Sequence, residues 1–287
     1  MKFGIRPSYR GSHIASAEDI VQLAQLAEEA GCESLWAVEH IVIPDEYASR
    51  YPYSADGQMG LTGADAVPDP LDWLAFVAAV TTTIRLATGV LLLPQHNPVI
   101  LAKRAATVDA LSGGRLILGV GVGWLREESD AVGASFTDRG RRTDEYIAAL
   151  RTLWRDRPAT FDGEFVHFTG VCSSPAPAQP GGVPIVVGGG SPAAVRRAGR
   201  LGDGYFPIGV GPEGLPALID AVHREAKAVG REPTEIEITV GASMNLDAAK
   251  RYRDLGVSRL VLSARKPGPD GVRETLEKFH DTVMSRI

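Results

Sequence analysis

Short runs rich in Val, Ile and Leu alternate along the chain with amphipathic stretches of helical period. The runs fall at about 2–6, 34–39, 84–91, 115–121, 184–188, 204–208, 236–242 and 258–263 and read as eight strands. The stretches that follow them, at about 17–30, 70–81, 98–111, 139–155, 191–201, 213–229, 246–255 and 270–284, read as eight helices. Ser16 precedes the apolar set Ile20, Leu23, Ala24, Ala27 and Ala30, with Asp19 placed for a capping box and Gly31 as a stop. Asp69-Pro70, Asn97-Pro98 and Ser191-Pro192 each put a capping side chain before a proline, whose missing N–H costs nothing in a first helical turn.

Strict alternation requires parallel strands joined by crossover helices, and eight units close a barrel that has no edge strand. The pattern therefore predicts a (β/α)8 TIM barrel, with residues 1–287 as one domain. A doubly wound open sheet shares the alternation but leaves two edges exposed. Two segments exceed a minimal barrel. Pro44 to Pro68 is an insertion after the second strand, on the side where barrels carry their chemistry. Its Tyr47, Tyr51, Tyr53 and Met59 suggest a lid or pocket wall. Arg157 to Gly182 precedes the fifth strand, and its centre, 159–168, reads as a hairpin turning at Asp162-Gly163.

Charge narrows the partners. Lys and Arg number 30 against 35 Asp and Glu, a net charge of −5, so no broad cationic field exists to hold nucleic acid or an acidic membrane. Cys32 and Cys172 stand far apart and cannot build a disulfide scaffold or a cysteine-rich zinc site, which suits a reducing cytoplasm. The first residues turn polar after five positions, and Arg85, Lys103 and Arg104 interrupt the most apolar stretch, so neither a signal peptide nor a spanning helix is expected. The histidines are scattered and none has the helical spacing of a paired metal ligand, so no metal is expected.

Chemistry in a barrel gathers where strands end and βα loops begin. Those positions hold Arg6 and His13, Glu39-His40, Gln95-His96, then Trp124, Arg126, Glu127 and Glu128, then Gly188 to Ser191. No nucleophilic Ser sits in a strained turn, and only Lys266 among the lysines lies near a strand end, which disfavours covalent catalysis. Gly188-Gly-Gly-Ser191-Pro192 follows a strand and opens a helix, so it reads either as an anion site or as a capped tight turn. Gly119-Val-Gly-Val-Gly123 serves a ligand or close backbone packing. His40 reads as a hydrogen-bonding or proton-transfer group, or as a core residue. Trp124 and the tyrosines could stack on a planar ring or merely pack the loop. Glu127-Glu128 reads most simply as a solvated helix start, and Arg141-Arg142 as a surface pair or ion-pairing face.

These residues resemble the bacterial luciferase-like flavin and deazaflavin oxidoreductases over essentially the whole chain. The resemblance rests on Leu26 to His40, Ile84 to Pro94, Asn97-Pro98, Leu111 to Trp124, Pro184 to Ser191 and Gly202-Asp-Gly-Tyr205. It implies a (β/α)8 barrel, a homodimer, and FMN or the 8-hydroxy-5-deazaflavin coenzyme F420 bound at the carboxyl face. It further implies that His40 lies beside the reactive ring and that Gly89 and Val90 form a bulged, often cis, peptide behind it. Gly188, Gly189, Gly190 and Ser191 would form the phosphate loop, with Gly121, Val122, Gly123 and Trp124 on the other side of the cofactor tail. The pattern looks closest to the deazaflavin-dependent members, which implies hydride transfer to or from a small organic substrate. The alternatives are an FMN-dependent monooxygenase and a non-catalytic flavin-binding barrel. Members that oxidise sugar phosphates carry an acid where this chain has Trp124, which points away from such a substrate. Specificity is expected from 44–68 and from Ser243 to Asn245.

Overall fold

The computed structural model describes residues 1–287. In chain order it contains β1 (Lys2–Arg6), α1 (Ala17–Glu29), β2 (Ser34–Ala37), α2 (Pro70–Val80), β3 (Arg85–Thr88), β4 (Leu91–Leu92), α3 (Pro98–Leu111) and β5 (Leu116–Gly121). A short helix α4 (Arg126–Ala131) precedes α5 (Arg139–Arg155), β6 (Ala159–Asp162), β7 (His167–Val171), β8 (Ile185–Gly188), α6 (Pro192–Leu201) and β9 (Gly204–Phe206). The chain ends with α7 (Leu215–Ala228), β10 (Glu237–Gly241), α8 (Leu246–Asp254), β11 (Arg259–Ser263) and α9 (Gly268–Thr282).

Eight parallel strands close a ring in the order β1, β2, β3, β5, β8, β9, β10, β11 and back to β1, as the alternation predicts. Helix starts follow the expected caps: Asp69, Asn97 and Ser191 each accept backbone N–H groups of the next turn. The capping box at α1 is only half formed. Ser16 accepts from Asp19 N–H, but the Asp19 carboxylate turns to His13 Nδ1 at 2.6 Å.

The third strand departs from the expected continuous run. Ala87 pairs with Ile117 and Leu91 with Val120, so this side holds one residue more than β5 and bulges at Gly89-Val90. The Gly89–Val90 peptide is cis, and Leu91–Leu92 pairs only with β5, outside the closed ring. The excursion before the fifth strand forms its hairpin, with Asp162 opposite His167, so the turn runs through 163–166 and is longer than an Asp-Gly pair suggests. The Glu145 carboxylate on α5 accepts the N–H groups of Glu164, Phe165 and Val166 and holds that turn. Arg141 and Arg142 form ion pairs with Glu164 and Asp138, the bland alternative for that pair.

The barrel interior is layered. At the amino ends of the strands Arg259 is fully buried, bonded to both Glu33 oxygens at 2.7 Å and to Thr239 at 3.2 Å. Burial works upward on the Glu33 carboxyl, but the Arg259 guanidinium outweighs it and holds the group below the usual range. Above lies Trp36 with Ala87, Ile117, Val186, Val261 and Phe206. Trp36 needs bare neighbours: a Cβ on Gly4 or Gly89 would stand 2.7 Å from its Nε1 or 2.9 Å from its Cε3. This packed floor puts the site at the carboxyl ends of the strands.

Candidate active site

The chain leaves β2 at Ala37, and Val38 N–H donates to the buried Tyr9 hydroxyl at 2.9 Å, which steers the next two residues over the mouth. Glu39 and His40 then point to different partners. Glu39, 5% exposed, accepts Leu92 N–H at 2.5 Å and faces His96 Nε2 at 3.0 and 3.1 Å. His40 Nδ1 lies 3.1 Å from Glu128 Oε2, and the other Glu128 oxygen accepts Ile41 N–H at 2.6 Å.

The expectation of a solvated Glu127-Glu128 is thereby overturned. Glu128 is 1% exposed, and Glu127 accepts Ala48 N–H at 2.7 Å and Ser49 N–H at 3.1 Å. Arg126 N–H donates to Ser49 Oγ at 3.1 Å. Burial works upward on Glu127, but the bonds from the 48–49 segment outweigh it and lower the carboxyl to about 2. The first turn of α4 is therefore a clasp for the inserted loop, with Glu128 buried, Glu127 half-buried and Arg126 exposed.

That loop lies over the mouth. Trp124 sits edge-on to His40, Tyr47 and Tyr51 with ring centroids 6.4, 5.6 and 5.1 Å apart, and Tyr51 packs edge-on to Tyr53 at 5.4 Å. Tyr47 also accepts Met59 N–H at 3.1 Å. Near its far end Asp65 accepts Gly11 N–H at 3.0 Å, pinning the loop to the segment after β1.

The glycine turns divide into two kinds. Gly121 and Gly188 are bare because Val90 fills the space between them: a Cβ on either would stand 2.6 Å from a Val90 methyl. Their close-packing role is thus evident, and Gly123 leads on to Trp124 with its carbonyl bonded by Arg139 at 3.3 Å. Gly189, at φ +115°, makes the turn into α6. Its own N–H donates to Phe206 O at 3.1 Å and is not free for an anion. The N–H groups of Gly190, Ser191 and Ala193 have no protein acceptor, and Ser191 caps the helix. Beside this turn Tyr53 Oη is 3.8 Å from the point where a Gly189 Cβ would stand. Tyr205 is fully buried with an unpartnered hydroxyl, and burial first, then Tyr53, pushes it up to about 12, so it remains a donor. The unbonded N–H groups of Gly190, Ser191 and Ala193 beside a positive-φ glycine fit a phosphate.

The structure thus gathers Gly89, Val90, Gly121 and Gly188 in one cluster and Gly189 to Ser191 beside it, with Val122 and Gly123 leading from Gly121 to Trp124, which lies next to His40. Sequence reasoning placed Glu127 and Glu128 among the strand-end positions but read them as solvated, and it gave Tyr205 no role. Tyr205 lay within a quoted motif without a role, and nothing local marks Glu128, whose partner is 88 residues away. Across the mouth, a cavity of about 480 Å³ opens between Ala242–Met244 and α9, lined also by Arg265, Lys266 and Lys278. No group of three or more His, Cys, Asp or Glu side chains comes together, and no helix is long and apolar enough to cross a membrane.

The comparisons agree with this architecture. The family model described as luciferase-like monooxygenase matches residues 1–258. An uncharacterized protein of Mycobacterium tuberculosis is 35% identical over 276 residues, covering 93% of this chain and 95% of that one. An F420-dependent glucose-6-phosphate dehydrogenase of Kineococcus radiotolerans is 32% identical over 247 residues, covering 81% and 67%. Among solved structures, the monooxygenase RslO1 of Streptomyces bottropensis superposes with a TM-score of 0.81 at 24% identity, covering 99% of both chains, a likeness of fold. The chain belongs to the luciferase-like monooxygenase family.

Proposed function

We propose that the protein is an oxidoreductase that transfers hydride between the deazaflavin coenzyme F420 and a small organic substrate. The observation that carries this reading is the donor set beside β8: three free N–H groups at the turn into α6, next to the Val90 cluster and across the mouth from His40. Such a set suits the phosphate of a flavin-type cofactor. The choice of F420 over FMN is supported by the Kineococcus relative, whose name specifies F420. Trp124, in place of the acid of sugar-phosphate oxidisers, argues for a different substrate.

In this reading the N–H groups of Gly190, Ser191 and Ala193 hold the phosphate, with Gly188 and Gly189 shaping the turn. Gly89 and Val90 back the ring, and Gly121 to Trp124 flank the cofactor. When bound, the deazaflavin supplies hydride chemistry, because carbon at the central ring position does not activate oxygen. His40 bonds the reacting group, and the loop 44–68 excludes water from it. The enzyme works as a cytoplasmic homodimer through the outward sides of α2 and α3, where Phe76, Val99, Ile100 and Leu111 are exposed. Sedimentation showing a monomer would remove the dimer.

The test is equilibrium titration of the purified protein with F420 and with FMN. F420 should bind more tightly, and Gly190→Glu should weaken it about tenfold or more by placing a carboxylate against the phosphate. The nearest atom to a Cβ at Gly190 is Ile208 O at 3.9 Å, so the fold should tolerate the change. Tighter binding of FMN with oxygen uptake on reduction would instead make the protein a flavin monooxygenase.

A further inference from the structure

Glu128 is a fully buried carboxylate that the proposed chemistry does not use. Its two oxygens are committed to different donors: Oε1 to Ile41 N–H at 2.6 Å and Oε2 to His40 Nδ1 at 3.1 Å. The Ile41 amide is the backbone directly after His40, so one carboxylate grips both the main chain and the ring of this turn. An ionised carboxylate only accepts. The proton shared with it must therefore be carried by Nδ1, and a neutral His40 is left with its lone pair on Nε2. That nitrogen has no protein partner, and the side chain keeps 11% exposure at the mouth beside Trp124.

We infer that Glu128 is a positioning residue that locks His40 in the Nδ1–H tautomer, so that Nε2 is presented to the mouth as a proton acceptor. The partner of one imidazole nitrogen dictates the role of the other. The neighbouring pair provides the contrast. Glu39 engages His96 through Nε2, so the same chemistry leaves that ring with the opposite tautomer. The importance of this lock for turnover rests on the proposed role of His40, but the tautomer itself does not.

A glutamine at 128 makes a sharp test, because it keeps the shape and changes only the donor pattern. The Ile41 N–H can be satisfied only by the amide oxygen, which turns the amide NH2 toward Nδ1. Nδ1 must then accept, and the proton moves to Nε2. Glu128→Gln thus inverts the tautomer and converts the group facing the mouth from acceptor to donor.

The experiment is ¹⁵N NMR of imidazole-labelled protein without any ligand, at mildly alkaline pH, where an ordinary imidazole is neutral. His40 signals are assigned by their loss in His40→Asn. The expected result is a protonated-type Nδ1 and an unprotonated-type Nε2 in the wild type, with the two exchanged in Glu128→Gln. Glu39→Gln should alter His96 and leave the His40 pattern intact. A protonated Nε2 in the wild type, or an unchanged His40 pattern in a folded Glu128→Gln protein, overturns the inference. Should Glu128→Gln fail to fold, the wild-type spectrum alone decides. Because no cofactor is present, failure here is separable from failure of the F420 assignment, which the binding titrations read.

Discussion

On the side of the mouth formed by β2, β3 and β5, the ionisable side chains are locked in buried pairs, whereas on the side formed by β10, β11 and α9 the cations face an open cavity. Glu39 with His96 and His40 with Glu128 cross-brace three βα loops, and Glu127 ties the inserted loop to the same frame. Opposite, Arg265 and Lys278 have no partner and Lys266 meets only the exposed Glu274, around about 480 Å³ of space. A buried charge is tolerable only with its partner in place, so the first side permits one geometry. Exposed cations lose little when replaced, so the second side can change without endangering the barrel. The division suggests that the reaction is fixed on one side while substrate choice varies on the other.

The largest effect should come from a single methyl group on the braced side. A Cβ on Gly119 would stand 1.9 Å from Thr88 O, which is backbone and cannot move aside. Gly119→Ala should lower stability by about 3 kcal/mol or more, or prevent folding. Gly241, the last residue of β10 on the open side, has nothing within 4 Å of its Cβ position. Gly241→Ala should stay within about 0.5 kcal/mol. Urea unfolding midpoints compare the two, and equal midpoints would end the contrast.

His40 comes next. Its catalytic and structural readings are not exclusive, because removing the ring also strands a buried carboxylate. His40→Ala should slow single-turnover hydride transfer by ~10² to 10⁴ and also cost about 1–3 kcal/mol, as a buried acceptor loses its donor. Lowered stability with a normal hydride-transfer rate would leave His40 a structural residue only.

The loop clasp gives a smaller effect with a definite sign in pH. The Glu127 carboxyl is lowered to about 2 in the folded protein, below its ordinary value of ~4.3. A depressed value favours the clasped state in full above the ordinary range and is lost as pH falls from about 4 toward 2. Proteolysis within 44–68 by an acid-active protease should rise through that window. Glu127→Gln should raise cleavage already at neutral pH. Identical cleavage of variant and wild type would show that the tyrosines hold the loop unaided.

The architecture was legible because it depends on local signals repeated many times. The period recurs in each βα unit, caps at Asp69, Asn97 and Ser191 fix three helix starts, and boundaries fall within two residues of expectation apart from the bulge in the third strand. His40 and the glycine turns were legible as positions at strand ends. Their partners were not, because the pairing of His40 with Glu128 and the insertion of Val90 between Gly121 and Gly188 arise only when distant strands meet. Two adjacent glutamates at a helix start look solvated in any local window, and only the closed barrel buries one of them. Arg259 was illegible for the same reason, since its carboxylate lies 226 residues away.

The smallest effect on stability should come from the open side. Arg265→Ser and Lys278→Ser remove exposed cations with no carboxylate partner, so each should leave the unfolding midpoint within about 0.5 kcal/mol of wild type. Cofactor affinity should also hold, because the free donors around Gly190 lie on another arc of the barrel. What should change is the ranking of substrates: those bearing an acidic group should lose relative rate, since the cavity lined by these cations adjoins the loop at Ser243 and Met244. A panel of neutral and acidic substrates assayed with both variants reads this directly. If the midpoint falls while the ranking stays fixed, the cations belong to the scaffold, and the division between a fixed side and a variable side fails where it is easiest to test.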